Sequence, residues 1–126
     1  MGNVQERQIR KLELDGGEVP FDVWFTALED IKLQAAVDSR LARVRAGNLD
    51  DSKSVGAGVF EFRIHKGPGL RIYYGFYGRQ VIILIGGGTK RNQAQDISRA
   101  QQLWKQFETH ASKKLQSGSP ETAAES

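Results

Sequence analysis

Residues 51–91 constrain the fold more than any other stretch, because they combine β-strand periodicity with strong turn signals. Apolar and polar side chains alternate in VFEFRIH (59–65) and LRIYYGFY (70–77), which predicts two strands with one face on a core. VIILI (81–85) is apolar on both faces, as a central strand is. Gly67-Pro68-Gly69 and Gly78-Arg79 predict the turns between the strands. Three glycines, residues 86–88, are expected to end the third strand.

The same stretch holds most of the chain's excess positive charge. Between Lys53 and Arg91 there are seven cations and one acid, Glu61, whereas residues 1–52 carry seven cations and ten acids. The overall net charge is only +3, so the total conceals a basic sheet beside an acidic N-terminal half. Such a localised excess indicates a polyanion or an acidic protein as partner, with a merely solubilising surface as the alternative.

The other elements are expected to support this sheet. Val4 to Leu14 predicts a strand, with a short helix as the alternative. Pro20 is expected to open a first helix and a second helix to run from Ile31 to Ala46, ended by Gly47 as a C-cap. Apolar residues at helical spacing predict a third helix from Asn92 to about His110. The polar face of the second helix is expected to carry Lys32, Asp38, Arg40, Arg43 and Arg45.

These elements predict an α+β domain in which an N-terminal helical hairpin and a C-terminal helix pack on one side of a mostly antiparallel sheet. We expect residues 1–114 to form this single domain and residues 115–126 to be a disordered polar tail. The chain has no cysteine and its two histidines lack metal-binding spacing, so no transition-metal site is expected. With no apolar run of about 20 residues and no N-terminal signal, a cytoplasmic protein that does not enter a membrane is expected.

The polar face of the predicted strands suggests RNA chemistry. The strand period places Arg63, His65, Arg71 and Tyr73 on one face, where arginines can bind phosphate and tyrosine can stack on bases. RNA is cleaved without metal when its own 2′-hydroxyl attacks the adjacent phosphate, provided that cations stabilise the developing charge and a side chain moves protons. His65, Tyr73 or a lysine can move protons; a plain surface histidine is the alternative for His65.

The stretch from Gly47 to Ile97 resembles addiction-module killer proteins of the RelE/ParE toxin superfamily, close to its HigB-like and phage-type branch. The resemblance covers about residues 20–105. It rests on the combination of Gly47-Asn48 with four motifs: K-x-V-G-x-G-V (53–59), E-x-R-I (61–64), GPG-x-R-I-Y (67–73) and GG-x-K-x-x-Q-x-x-DI (87–97).

This resemblance implies the toxin half of a type II toxin–antitoxin system, acting as a ribosome-dependent mRNA endonuclease (an mRNA interferase) that inhibits translation and needs no metal and no cofactor. The implied partners are a cognate antitoxin and ribosome-bound mRNA, with operator DNA reached only through the antitoxin. The candidate catalytic residues are Arg71, Arg63, Lys90, Lys53 and His65, and the candidate substrate-binding residues are Tyr73, Lys66 and Arg91. The chain departs from the family pattern at Phe62, Leu70 and Thr89, where leucine, an aromatic residue and an acid are common.

Two other functions are compatible with the same fold: a toxin that poisons DNA gyrase by binding, and a degenerate toxin that serves only as a repressor subunit. An interleaved basic and aromatic face favours RNA cleavage. On this interpretation Arg71→Ala removes toxicity with little loss of folding.

Overall fold

The computed structural model describes residues 6–117. Five strands and three α-helices follow one another in a mixed order along the chain. They are β1 (Gln8–Lys11), α1 (Pro20–Ala27), α2 (Ile31–Arg45), β2 (Ser52–Gly56), β3 (Val59–Ile64), β4 (Leu70–Tyr77), β5 (Val81–Thr89) and α3 (Gln93–Ser117), with a short 3-10 turn, Lys90–Asn92, before α3. The α+β class expected from the sequence is confirmed.

The five strands form one open sheet in the order β1-β5-β4-β3-β2. The four strands from β2 to β5 pair antiparallel as successive hairpins, and β1 pairs parallel with β5 at the far edge. The predicted strand at residues 4–14 is thus confirmed in its centre. The edge strand β2 was not predicted, because SKSVG has no apolar alternation and is held by backbone pairing with β3.

Helices cover both faces of the sheet, so the expectation that all of them pack on one side is wrong. On one face α1 and α2 bury Phe21, Val37 and Leu41 against Phe62 and Tyr74. On the other face α3 buries a second apolar cluster, which includes Leu12, Val59, Tyr73, Ile83, Ile85, Ala100 and Trp104. Alternate side chains of β3 and β4 therefore point into two different apolar cores. The face that carries Arg63 and Arg71 is partly covered by α3.

The predicted helix boundaries have local causes. Pro20 occupies the first turn of α1, where the absent N–H costs nothing. Asp30 caps α2 by accepting hydrogen bonds from the backbone N–H groups of Lys32 and Leu33 at 2.9 and 3.3 Å. At the end of α2, Gly47 has φ of 101°, and backbone hydrogen bonds from Gly47 and Asn48 close the helix in a Schellman motif.

The three glycines at 86–88 do not end β5, which continues through them to Thr89. They pair in register with Tyr73, Ile72 and Arg71 of β4. On one face the Trp24 ring lies directly on Gly87, and on the other the Asp96 carboxyl lies directly on Gly88. A side chain at either position would occupy the space of these two residues, so Gly87 and Gly88 serve close packing rather than a turn.

The last helix is longer than expected, since α3 continues seven residues beyond His110 to Ser117. The predicted disordered tail begins within this helix, at residue 115, and residues 118–126 lie outside the described part of the chain. Within residues 6–117, no helix combines the length and apolar character needed to cross a membrane.

Candidate nucleic-acid interface

The carboxylate of Glu61 organises the basic face of the sheet. It is completely buried. Its Oε1 accepts a hydrogen bond from Arg63 Nε at 3.3 Å, and its Oε2 accepts one from Gln93 Nε2 at 2.7 Å. Arg71 Nε lies 3.6 Å from Oε2, which makes an ion pair rather than a hydrogen bond. One acid thus holds two arginines in fixed positions. This Glu61-centred group, which consists of Glu61, Arg63, Arg71 and Gln93, therefore keeps a net positive charge.

Register explains why these side chains meet. Arg63 pairs with Arg71 across β3 and β4, and Lys53 pairs with Glu61 across β2 and β3. Directly opposed residues of antiparallel strands point to the same face, so Lys53 belongs to the same group as the two arginines. Lys53 is exposed, whereas Arg63 keeps 35% of its side-chain surface exposed and Arg71 only 8%. The site therefore has a buried cation, Arg71, and an accessible rim that is formed by Lys53 and Arg63.

The loop between β3 and β4 brings Lys90 to this group. The Gly69 carbonyl accepts hydrogen bonds from Arg71 Nη1 at 3.2 Å and from the backbone N–H of Lys90 at 3.0 Å. The GPG turn therefore fixes the Arg71 guanidinium and the start of the 3-10 turn together. Lys90 is exposed and lies beside them, and Arg91 and Lys66 are exposed as well.

Tyr73 lies under α3, with 1% of its surface exposed. Its ring packs in the core with Trp104 and Ile85, so it presents no open face to an RNA base, and the base-stacking role expected for it does not fit this structure. Burial raises the pKa of the Tyr73 hydroxyl, and the nearby Glu61 raises it further. Its ionised form is thereby disfavoured, so it is a poor acceptor for the proton of a 2′-hydroxyl.

His65 lies just beyond the end of β3, with 72% of its side chain exposed. Its Nε2 lies 3.0 Å from Asp51 Oδ2, which fixes one ring nitrogen and leaves the ring accessible to solvent. Asp51 is itself anchored, because its backbone carbonyl accepts a hydrogen bond from the backbone N–H of Arg63 at 3.1 Å. A histidine oriented by a carboxylate is suited to proton transfer.

A groove of about 360 Å³ joins His65 to α2. Its strand side is formed by Arg63, Ile64, His65 and Lys66, its helix side by Ala36, Ser39, Arg40 and Arg43, and its end by Asp50 and Asp51. Arg63 lines this groove and also donates to Glu61, so it connects the groove with the Glu61-centred group.

The structure thus brings Arg63 and Arg71 to one carboxylate, with Lys53 opposite Glu61 in the strand register and Lys90 beside Arg71 through the Gly69 carbonyl. It places His65 and Lys66 in the adjoining groove, Arg91 at the exposed 3-10 turn, and Tyr73 in the core.

Sequence reasoning missed three residues of this region. Glu61 received no role from the sequence, although its isolation as the one acid among seven cations is a usable signal. Gln93 occurs in the family-like motif without an assigned function. Arg40 was expected on the polar face of α2, yet it is 3% exposed. Its spacing of three residues from Val37 and four from Val44 puts it on the apolar stripe.

Comparison with known proteins gives one relevant similarity. The chain is 39% identical over 83 residues to an uncharacterised protein of Haemophilus influenzae, and the match covers 66% of this chain and 84% of that protein. No protein-family model matches the chain. No solved structure matches it either.

Proposed function

We propose that this chain, which belongs to the same protein family as the uncharacterised Haemophilus influenzae protein, is the toxin of a type II toxin–antitoxin pair that cleaves ribosome-bound mRNA without a metal ion. The observation that carries the proposal is the Glu61-centred group, in which Arg63 and Arg71 are held side by side and flanked by Lys53 and Lys90. Preorganised cations of this kind stabilise charge that develops on a phosphate.

The proposed reaction is a transesterification within the RNA strand. The 2′-oxygen forms a bond to phosphorus, the bond from phosphorus to the 5′-oxygen breaks, and a 2′,3′-cyclic phosphate and a 5′-hydroxyl result. One group removes the 2′-hydroxyl proton and another protonates the leaving 5′-oxygen. No electrons are transferred, so the chemistry needs no redox partner.

The roles follow from accessibility. Arg63, Lys53 and Lys90 are exposed enough to contact the scissile phosphate, while the buried Arg71 adds charge from behind them. His65 is the best candidate for proton transfer, because its ring is exposed and is oriented by Asp51. Glu61 is completely buried and is a positioning residue for the arginines.

The same basic surface supports the proposed partners. In a toxin–antitoxin pair, the antitoxin silences its toxin by direct binding and would connect this chain with operator DNA. A basic rim around the site is complementary to an acidic antitoxin segment as well as to RNA.

The test is induced expression in a bacterial host, with 5′ ends mapped on translated messages. Arg71→Ala is a poor probe, because Arg71 is buried against Glu61 and its loss would also affect folding. Lys90→Gln and Lys53→Gln change the accessible rim instead, because neither lysine forms an ion pair with Glu61 within the described residues. Arg10→Gln is the matched control, because Arg10 is an exposed cation on β1, at the opposite edge of the sheet.

We expect new 5′ ends within reading frames for the wild type and the control, and a loss of about 100-fold in cleavage for each rim variant, as for other groups that stabilise a transition-state charge. Growth arrest without new 5′ ends would refute RNA cleavage and indicate a target such as gyrase. Absence of any arrest would refute toxicity itself.

A further inference from the structure

The groove between α2 and the end of β3 contains a buried guanidinium that the function proposed above does not use. Arg40 is 3% exposed, and its guanidinium lies over the Phe62 ring, 5.1 Å from the ring centroid. Within residues 6–117, Arg40 Nε and Nη2 are both buried without a hydrogen-bond partner. A buried charge is normally paired, since removing it from water is costly.

The surroundings of Arg40 do not neutralise it. Burial lowers the pKa of the Arg40 guanidinium, and the neighbouring Arg43 lowers it further, while Asp51 and Asp50 act in the opposite direction. Neither aspartate forms an ion pair with Arg40 within the described part of the chain. An anion that enters the groove, which Arg40 lines, would supply the missing negative charge beside the guanidinium.

The groove as a whole favours an anion. Four cations line it, Arg40, Arg43, Arg63 and Lys66, together with two acids, Asp50 and Asp51. Asp51 is engaged by His65, which leaves fewer acceptors to compete with a ligand. The Ser39 hydroxyl lies in the same wall and can donate a further hydrogen bond.

We propose that this groove binds a phosphodiester group of single-stranded RNA, with Arg40 as its buried anchor and with Arg43 and Lys66 at its rim. The inference rests on the proposed function. Because Arg63 borders both the groove and the Glu61-centred group, the strand would pass from that group, on the face of the sheet covered by α3, around the end of β3 to Arg40 on the face covered by α2. The groove would then hold the strand in register for cleavage.

The test measures binding of a 2′-O-methyl RNA oligonucleotide, which cannot be cleaved because its 2′-oxygens are blocked. Wild-type protein, Arg40→Met and Arg45→Met are compared by fluorescence anisotropy at several salt concentrations. Arg45→Met removes the same charge from an exposed position of α2 that does not line the groove. We expect Arg40→Met to weaken binding by about tenfold or more, as loss of a charge-assisted hydrogen bond does.

Salt dependence separates a phosphate contact from an indirect effect. Each phosphate contact with a single strand contributes about 0.7 to the slope of log affinity against log salt concentration. Arg40→Met should lower the slope by about this amount and Arg45→Met should leave it unchanged. Equal slopes and affinities for the two variants would overturn the proposal.

Two further measurements distinguish RNA binding from misfolding and from protein docking. If Arg40→Met does not fold, as judged by circular dichroism, Arg43→Met at the rim takes its place, with the same expected loss of slope. Hexaglutamate is tested in parallel, and a loss of hexaglutamate binding without loss of RNA binding would overturn the proposal in favour of protein docking. RNA binding that depends on Arg40, in a protein that cleaves no message in cells, would refute the proposed function and leave the groove site standing.

Discussion

The buried Glu61 carboxylate offers the sharpest test of how the basic face is held together. Glu61→Gln keeps the shape of the side chain, but it removes the negative charge between Arg63 and Arg71 and replaces one of the two acceptor oxygens with an NH2 donor. The two guanidinium nitrogens lie 3.3 and 3.6 Å from the carboxylate oxygens. With an effective dielectric constant of about 20, Coulomb's law gives an attraction of about 5 kcal/mol for each pair.

The net loss of stability is smaller than this attraction, because the neutral amide avoids the desolvation penalty of a buried carboxylate. Removal of one member of a buried pair costs about 3–5 kcal/mol. The 35% exposure of Arg63 allows water to screen that guanidinium, so we expect a loss of about 3 kcal/mol, near the lower limit of that range.

Equilibrium unfolding in urea, monitored by tryptophan fluorescence, measures this loss without the ionic screening that guanidinium chloride would add. With a slope of about 1.5 kcal/mol per molar, typical of a small domain, the midpoint should fall by about 2 M. Glu108→Gln is the matched control, since Glu108 is an exposed acid of α3 and should change stability by less than about 0.5 kcal/mol.

A double-mutant cycle with Arg71→Gln isolates the pair itself. If the charge pair is the cause, Arg71→Gln should cost less in the Glu61→Gln background than in the wild type, with a coupling of about 1–3 kcal/mol. Additive effects, or a midpoint for Glu61→Gln no lower than that of Glu108→Gln, would refute the view that Glu61 is the electrostatic centre of the site.

The remaining predictions concern α3 and its contacts with the sheet. Burial raises the pKa of the Asp96 carboxyl above its ordinary 3.8, so the folded state binds this proton more tightly than the unfolded chain does. The stabilisation that this protonation provides is complete below pH 3.8 and is lost as the pH rises through the folded-state pKa. Over that range, the melting temperature of the wild type should therefore fall relative to that of Asp96→Asn. Parallel pH profiles of the two melting temperatures would contradict this. A Cβ at Gly75 would lie 2.5 Å from Trp104 Cζ2, so Gly75→Ala should displace the indole, alter its fluorescence and cost about 1–3 kcal/mol. Gly16→Ala, whose Cβ meets nothing within 4 Å, is the control, and equal stability of the two variants would rule out the overpacking.

Much of the fold was predictable from the sequence, because helix boundaries and strand periodicity depend on local interactions. Pro20, Asp30 and Gly47 mark helix boundaries through their own backbone conformation and hydrogen bonds, which depend on only a few neighbours. The period of two in β3 and β4 likewise placed Arg63 and Arg71 on a common face, and the register confirms it. The α+β class and the main basic residues were therefore predictable.

Tertiary structure determined the features that depend on contacts between distant residues, namely strand pairing, helix placement and burial. Parallel pairing of β1 with β5 and the position of α3 on the second face are long-range choices without a local signal. Tyr73 is buried by α3 rather than offered to a ligand, although alternation alone placed it correctly beside Arg71.

The chemistry of the site shows the same division. The sequence contains one acid among seven cations, but only the packing of Gln93, Arg63 and Arg71 around Glu61 turns that acid into a buried anchor. Arg40 is an ordinary helical cation by composition, but it is buried against Phe62, and its Nε and Nη2 have no hydrogen-bond partner within residues 6–117. Composition determined that this protein is locally basic, and long-range packing determined which cations are fixed, which are accessible and which lack a partner, because burial and pairing depend on contacts between distant parts of the chain.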